Sequence, residues 1–184
     1  MGNPLRLRRP IAELAAKGQV IEIAEKIGSF ERLAGIVEAD LATLDPDKIP
    51  PDWREAMVSG WLEFGFADAQ KQVVSLVGEV AVTLDAVCQR CLEPFRLELA
   101  TDLRLLPTTV DQGVSAGTDF ELWELEEEMV CPAEIVEEVL IMAMPLSAKH
   151  EVAAACKKYE PAGEAVEQTT RPFAALKAEL DQNK

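Results

Sequence analysis

Histidine is nearly missing from this chain, with His150 the sole imidazole among 184 residues. It lies in a polar stretch away from any nucleophile motif, so it reads as a surface side chain rather than a general base. The chain also lacks a G-x-S-x-G elbow, a phosphate-binding Walker loop and a dinucleotide fingerprint. These absences point away from an enzyme and from a small-molecule substrate. No apolar run approaches the ~18 residues of a bilayer span. The best stretch, Val139 to Leu146, is short and interrupted by Pro145. The first residues carry Arg6, Arg8 and Arg9 but no unbroken apolar segment of the kind export requires. The expectation is a cytoplasmic protein with no membrane partner. Cationic side chains are scarce too: 18 Lys and Arg face 33 Asp and Glu, a net charge of -15. Such a field repels bare polyanions and favours a basic protein partner.

What is present organises one domain over 1–184. Residues 1–50 form a helical and mixed N-terminal segment, 53–146 a sheet core with a covering helix, and 147–184 a largely flexible tail. Pro10 and Gly18 bracket "IAELAAKG" as a short helix, and "QVIEI" is an edge strand. Ser29 is the expected N-cap of "FERLAGIVEADL", whose apolar residues recur at helical intervals. The period then changes to two. Val58, Leu62, Phe64 and Phe66 share one parity; so do Val74, Leu76, Val80, Val82, Leu84 and Ala86, with Ser75, Glu79, Thr83 and Asp85 on the wet side. Phe95, Leu97, Leu99, Leu103 and Leu105 continue the pattern opposite Arg96, Glu98, Asp102 and Arg104. "FELWEL" suits another strand. Pro132 opens a helix with Ile135, Val136, Val139 and Leu140 inward and Glu134, Glu137 and Glu138 outward, ended by Pro145. "RPFAALKAEL" offers a last short helix. The fold class is α+β: an antiparallel sheet, a long hairpin or meander, packed by a few helices and followed by a flexible C-terminal tail.

Two features carry candidate chemistry. Cys88 and Cys91 sit in "VCQRCLEPF" at the tip of the hairpin, a spacing that lets two thiolates reach one tetrahedral zinc. A second pair is missing: Cys131, His150 and Cys156 are scattered along the chain and would have to converge by folding or come from another subunit. Two readings therefore stay open, a metal-free turn with incidental thiols and no cofactor, or half of a zinc site. A redox role would need a depressed thiol pKa, generally from a helix N-terminus, and here the flanks read as strands. The second feature is acid. Asp119 to Glu138 holds nine carboxylates and no Lys or Arg, with Glu126, Glu127 and Glu128 consecutive. It is either a solvated face or a docking surface for cations. Arg90, Arg96 and Arg104 form a candidate cationic strip on the hairpin. Trp53, Trp61 and Trp123, at strand spacing, read as core rather than base-stacking platforms.

"VCQRCLEPF" after an alternating strand, the acidic segment, "EIVEEVLIMAMPL" and the closing "RPFAALKAEL" together resemble the YceD family of large ribosomal RNA subunit accumulation proteins, over Val80 to Leu180. The resemblance implies a non-enzymatic, bacterial cytoplasmic factor, with plastid relatives, supporting accumulation or processing of large-subunit ribosomal RNA. Its partner would be a large-subunit ribosomal protein or a pre-ribosomal RNA particle. No catalytic residue carries over. The chain departs from the family pattern twice: Leu92 stands where glycine often follows the second cysteine, and Arg171 where asparagine usually opens the closing motif. On this reading the acidic residues bind a basic ribosomal protein; the alternatives are a direct RNA binder using the hairpin arginines, or a zinc-binding or redox-active CxxC protein.

Overall fold

Backbone dihedrals show first how the N-terminal segment turns back onto the sheet. A computed structural model of the protein describes residues 3–108, 119–125, 127–151 and 156. A two-residue strand, β1 (Arg9–Pro10), leads into α1 (Ile11–Ala16). Gly18 ends this helix at φ 55°, and the N–H groups of Gly18 and Gln19 return to the carbonyls of Ala15 and Leu14. Only a residue free of Cβ adopts that left-handed turn without cost. The chain then enters β2 (Val20–Lys26), an edge of the main sheet as expected. The sheet thus takes a strand from the N-terminal segment.

The next helix, α2 (Glu31–Leu41), is not capped by Ser29. The Ser29 hydroxyl instead donates to the Lys26 carbonyl at 2.7 Å and lies 3.2 Å from a Glu25 carboxylate oxygen, while Phe30 occupies the N-cap position without a side-chain bond. The cap comes from far along the chain. Glu137 Oε1 accepts the N–H groups of Arg32 at 2.7 Å and Leu33 at 3.0 Å.

Three long strands follow: β3 (Met57–Phe66), β4 (Val74–Val87) and β5 (Pro94–Thr108). Each pairs antiparallel with its neighbour, and β4 and β5 form the anticipated hairpin, Val87 opposite Pro94. The parity read from the sequence is the parity of burial. Val58, Leu62, Phe64, Leu76, Val80 and Leu84 are fully enclosed and pack with Leu14, Leu33, Val37, Val136 and Leu140 from the helices. Burying one such side chain stabilises the fold by roughly 1.5–3 kcal/mol. Two positions allotted to the wet face, Ser75 and Asp85, are buried instead. At Asp85 the reason is its cross-strand partner Arg96, whose guanidinium sits 3.8 Å from the carboxylate. Gly60 and Gly78 let β3 and β4 approach closely. A Cβ on Gly60, where φ is 150°, would lie 2.0 Å from the Glu79 carbonyl.

The fifth expected strand, β6 (Glu121–Glu124), joins β5 in parallel, giving the order β2-β3-β4-β5-β6. Hence the five-stranded sheet is antiparallel apart from one edge. β7 (Met129–Val130) pairs with β1 as a separate ribbon. Finally α3 (Pro132–Ala143) covers the sheet, its first turn opened by Pro132 as anticipated. Ile135, Val136, Val139 and Leu140 are buried. So is Glu137, which the sequence placed on the solvated face with Glu134 and Glu138; its task as the α2 cap draws it inward. No helix among the described residues is long and apolar enough to cross a membrane. The closing segment "RPFAALKAEL", most of the loop after Thr108 and nearly all of the tail lie outside the described residues.

Candidate functional site

The hairpin tip is built by backbone bonds before any thiol is considered. The Cys88 N–H donates to the Glu93 carbonyl at 3.0 Å and the Leu92 N–H to the Cys88 carbonyl at 2.8 Å, closing a knuckle over the two cysteines. Leu92 takes φ 56° there, the conformation that glycine adopts freely and a branched side chain resists. Its side chain is exposed. Other segments brace the tip. Asp40 at the end of α2 accepts the Val87 N–H at 2.8 Å, and Lys48 meets Glu93 at 3.0 Å.

The chain beyond α3 then returns to this tip. The Gln89 N–H donates to the Ala148 carbonyl at 2.8 Å, and the His150 ring stacks obliquely on Phe95 with centroids 4.8 Å apart. His150 is consequently not a free surface side chain. It and Cys156 join Cys88 and Cys91, so that the four ligand atoms all lie within 4.8 Å of one another. Cys88 Sγ is 3.8 Å from Cys156 Sγ; His150 Nδ1 is 3.6 Å from Cys91 Sγ and 3.4 Å from Cys156 Sγ. Tetrahedral zinc with sulfur at ~2.3 Å and nitrogen at ~2.0–2.1 Å separates its ligands by roughly 3.8 Å for two sulfurs and roughly 3.6 Å for sulfur and nitrogen. Those three separations match, and the remaining ones stay within 4.8 Å, so the donor set is one that could hold a Cys3His zinc. The scattered candidates converge by folding within one chain, apart from Cys131, which is buried at the start of α3 with its thiol 3.7 Å from the Leu5 carbonyl.

Electrostatics at the cluster divide Cys88 from Cys156. Burial pushes the Cys88 thiol up, but backbone N–H groups of His150, Cys91 and Arg90 and the His150 ring outweigh it and bring the pKa down to about 5. Burial and the neighbouring Cys88 and Cys91 sulfurs push Cys156 up from its ordinary value. Arg90 Nη1 lies 3.9 Å from Cys156 Sγ. A depressed thiol thus arises without a helix N-terminus. The signal for His150 and Cys156 was compositional: the only histidine and a further cysteine lie six positions apart just past the covering helix.

The remaining candidate residues lie elsewhere. Arg90 belongs to the cluster, and Arg96 pairs with Asp85. Arg104 is eight positions beyond Arg96 on the same exposed face of β5, roughly 27 Å away at ~3.4 Å per residue. Glu98 and Asp102 stand exposed between them. Among the acidic residues, Glu126 lies outside the described residues. Glu127 and Glu128 are exposed, and Glu127 reaches Arg8 at 3.4 Å. Trp53 is buried under the Arg54 guanidinium, Trp123 is half-buried, and Trp61 is exposed on the outer sheet face.

The family model for the large ribosomal RNA subunit accumulation protein YceD matches residues 76–178, more than half of the chain and all four residues of the cluster. Comparison with curated proteins and with solved structures gives no match.

Proposed function

Because the chain belongs to the YceD family of large ribosomal RNA subunit accumulation proteins, with the ribosome-related role that this carries, we propose that it is a non-enzymatic assembly factor that binds a basic large-subunit ribosomal protein. By favouring incorporation of that protein, it protects the ribosomal RNA indirectly. The observation that supports this reading is where charge sits. Residues 157–184 contain five basic and five acidic side chains, so the whole excess of -15 belongs to residues 1–156. Within that body the carboxylates gather around β6, β7 and α3. Arg96 and Arg104, by contrast, are spaced well beyond the ~8 Å over which a charge acts at physiological salt, and Glu98 and Asp102 intervene. A polycation is the better match.

Cys88, Cys91, His150 and Cys156 are proposed to hold a structural zinc. The donor set fits that ion, and four protein ligands would fill its tetrahedron, leaving no position for a reacting water. Bound there, the metal would supply cross-linking rather than chemistry. The protein's own part is to fasten the segment after α3 onto the hairpin tip, with Arg90 offsetting the negative charge of three thiolates.

Binding of the full chain to salt-extracted large-subunit ribosomal proteins tests the assignment. Affinity should fall steeply with added salt, and replacing Glu126, Glu127 and Glu128 together by Gln should lower it further. Unchanged affinity in that variant would remove the acidic segment from the interface. Retention of naked ribosomal RNA, lost when Arg90, Arg96 and Arg104 are changed, would support direct RNA binding instead.

A further inference from the structure

Between the segment running from β6 to β7 and the facing side of α3 lies a groove of about 480 Å³. Its floor is apolar: Trp123, Val130 and Ile135 line it, with Met129 and Met142 exposing 41% and 69% of their surfaces. Its rim is acidic, with Glu124, Glu127, Glu134 and Glu138 against only Arg8 and Arg32. Both arginines are already engaged. Arg8 reaches Glu134 at 2.9 Å and Glu127 at 3.4 Å, and Arg32 reaches Glu138 at 2.7 Å. Glu124 has no ion-pair partner among the described residues. Along α3, Glu134, Glu138 and Met142 recur every four positions, so charge and apolar surface run down one helical face for roughly 12 Å at ~1.5 Å per residue.

We propose that this groove is the docking site for a cationic amphipathic segment of a partner protein, carrying apolar side chains at helical spacing with Lys or Arg beside them. The inference rests on the proposed binding of a basic ribosomal protein and says where, and by which contacts, it happens. Apolar anchors settle on Trp123, Met129 and Met142, and methionine's flexible side chain adapts to their shape. Cations pair with Glu124 and compete with Arg8 and Arg32 for the other carboxylates. Other occupants fit less well. Phosphates would meet carboxylates, a second copy would bring another -15, and residues 157–184 have no net charge to offer.

The probe is a labelled peptide of about 15 residues with Leu at i, i+3, i+4 and i+7 and Lys elsewhere, titrated into the full chain and followed by fluorescence anisotropy. A shuffled peptide of the same composition and a uridine oligonucleotide serve as comparators. Two variants add the same charge at exposed methionines: Met142→Lys in the groove and Met57→Lys at the start of β3 on the outer sheet face. The expected result is an affinity lowered about tenfold or more by Met142→Lys and about twofold or less by Met57→Lys, with weaker binding of the shuffled peptide and none of the oligonucleotide. Equal losses in both variants, or binding of the oligonucleotide, would overturn the assignment. So would a change in the Met142 methyl resonance on Phe173→Ser in the full chain, because the protein's own tail would then occupy the groove. Retention on large-subunit particles separates the two readings. If Met142→Lys leaves retention intact, the groove is wrong and the function stands; if the unaltered chain is not retained while the peptide still binds as expected, the function is wrong and the groove stands.

Discussion

Replacing Glu137 by Ala removes the cap of a helix to which it is not attached in sequence. Its carboxylate sits in α3, only 7% exposed, and accepts two N–H groups in the first turn of α2 at 2.7 and 3.0 Å. Loss of a helix N-cap costs ~0.5–2 kcal/mol. A buried donor left without a partner costs ~1–3 kcal/mol, and alanine leaves the Leu33 N–H in that state while the more exposed Arg32 N–H regains water. The combined effect is about 2–4 kcal/mol, a fall in Tm of roughly 5–15 °C for a chain of this length. Glu137→Gln keeps one oxygen acceptor in place and should cost about half as much. Urea melts followed by circular dichroism give the stability difference, and hydrogen exchange at Arg32 and Leu33 locates it. A loss under about 0.5 kcal/mol in the Ala variant, with those two amides still protected, would refute the capping argument.

Further expectations concern the hairpin and the cluster. Native mass spectrometry of protein purified with zinc present should show one bound ion, and Cys91→Ser or His150→Ala should reduce its occupancy and expose the Gln89 amide to exchange; a metal-free wild-type protein under those conditions would contradict the Cys3His assignment. Leu92→Gly should stabilise the protein by about 1 kcal/mol, because the exposed leucine loses no packing and the left-handed turn becomes unstrained; a destabilised variant in chemical denaturation would speak against strain at that turn. Gly60→Ala should cost about 3 kcal/mol or more, since its Cβ would collide with the Glu79 carbonyl, and a thermal melt matching the unaltered protein would be inconsistent with the close approach of β3 and β4.

Local pattern made much of this molecule legible. Alternation from Val58 to Leu105 set out three strands and their inward residues, because one sheet face is wet and one is dry. Pro10, Gly18 and Pro132 marked helix ends through backbone constraints that belong to those residues alone. What escaped depends on distant partners. Ser29 is a good capping residue type just ahead of the helical pattern, yet Glu137 supplies the cap from 105 positions away relative to Arg32. Asp85 looks solvent-facing until Arg96 is laid across it. The parallel pairing of β6 follows from a crossing no short-range pattern encodes. Half of the cluster was visible as Cys-x-x-Cys, but His150 and Cys156 join it only because the segment after α3 doubles back to the hairpin tip.

Cross-linking with a carbodiimide, which joins carboxylates to lysine amines at zero length, addresses the central claim most directly when applied to the full chain bound to precursor large-subunit particles. The expected product links Glu124, Glu127, Glu134 or Glu138 to lysines of a basic ribosomal protein. Photo-crosslinks to ribosomal RNA at Arg96 and Arg104, with no carboxylate joined to any protein, would contradict it.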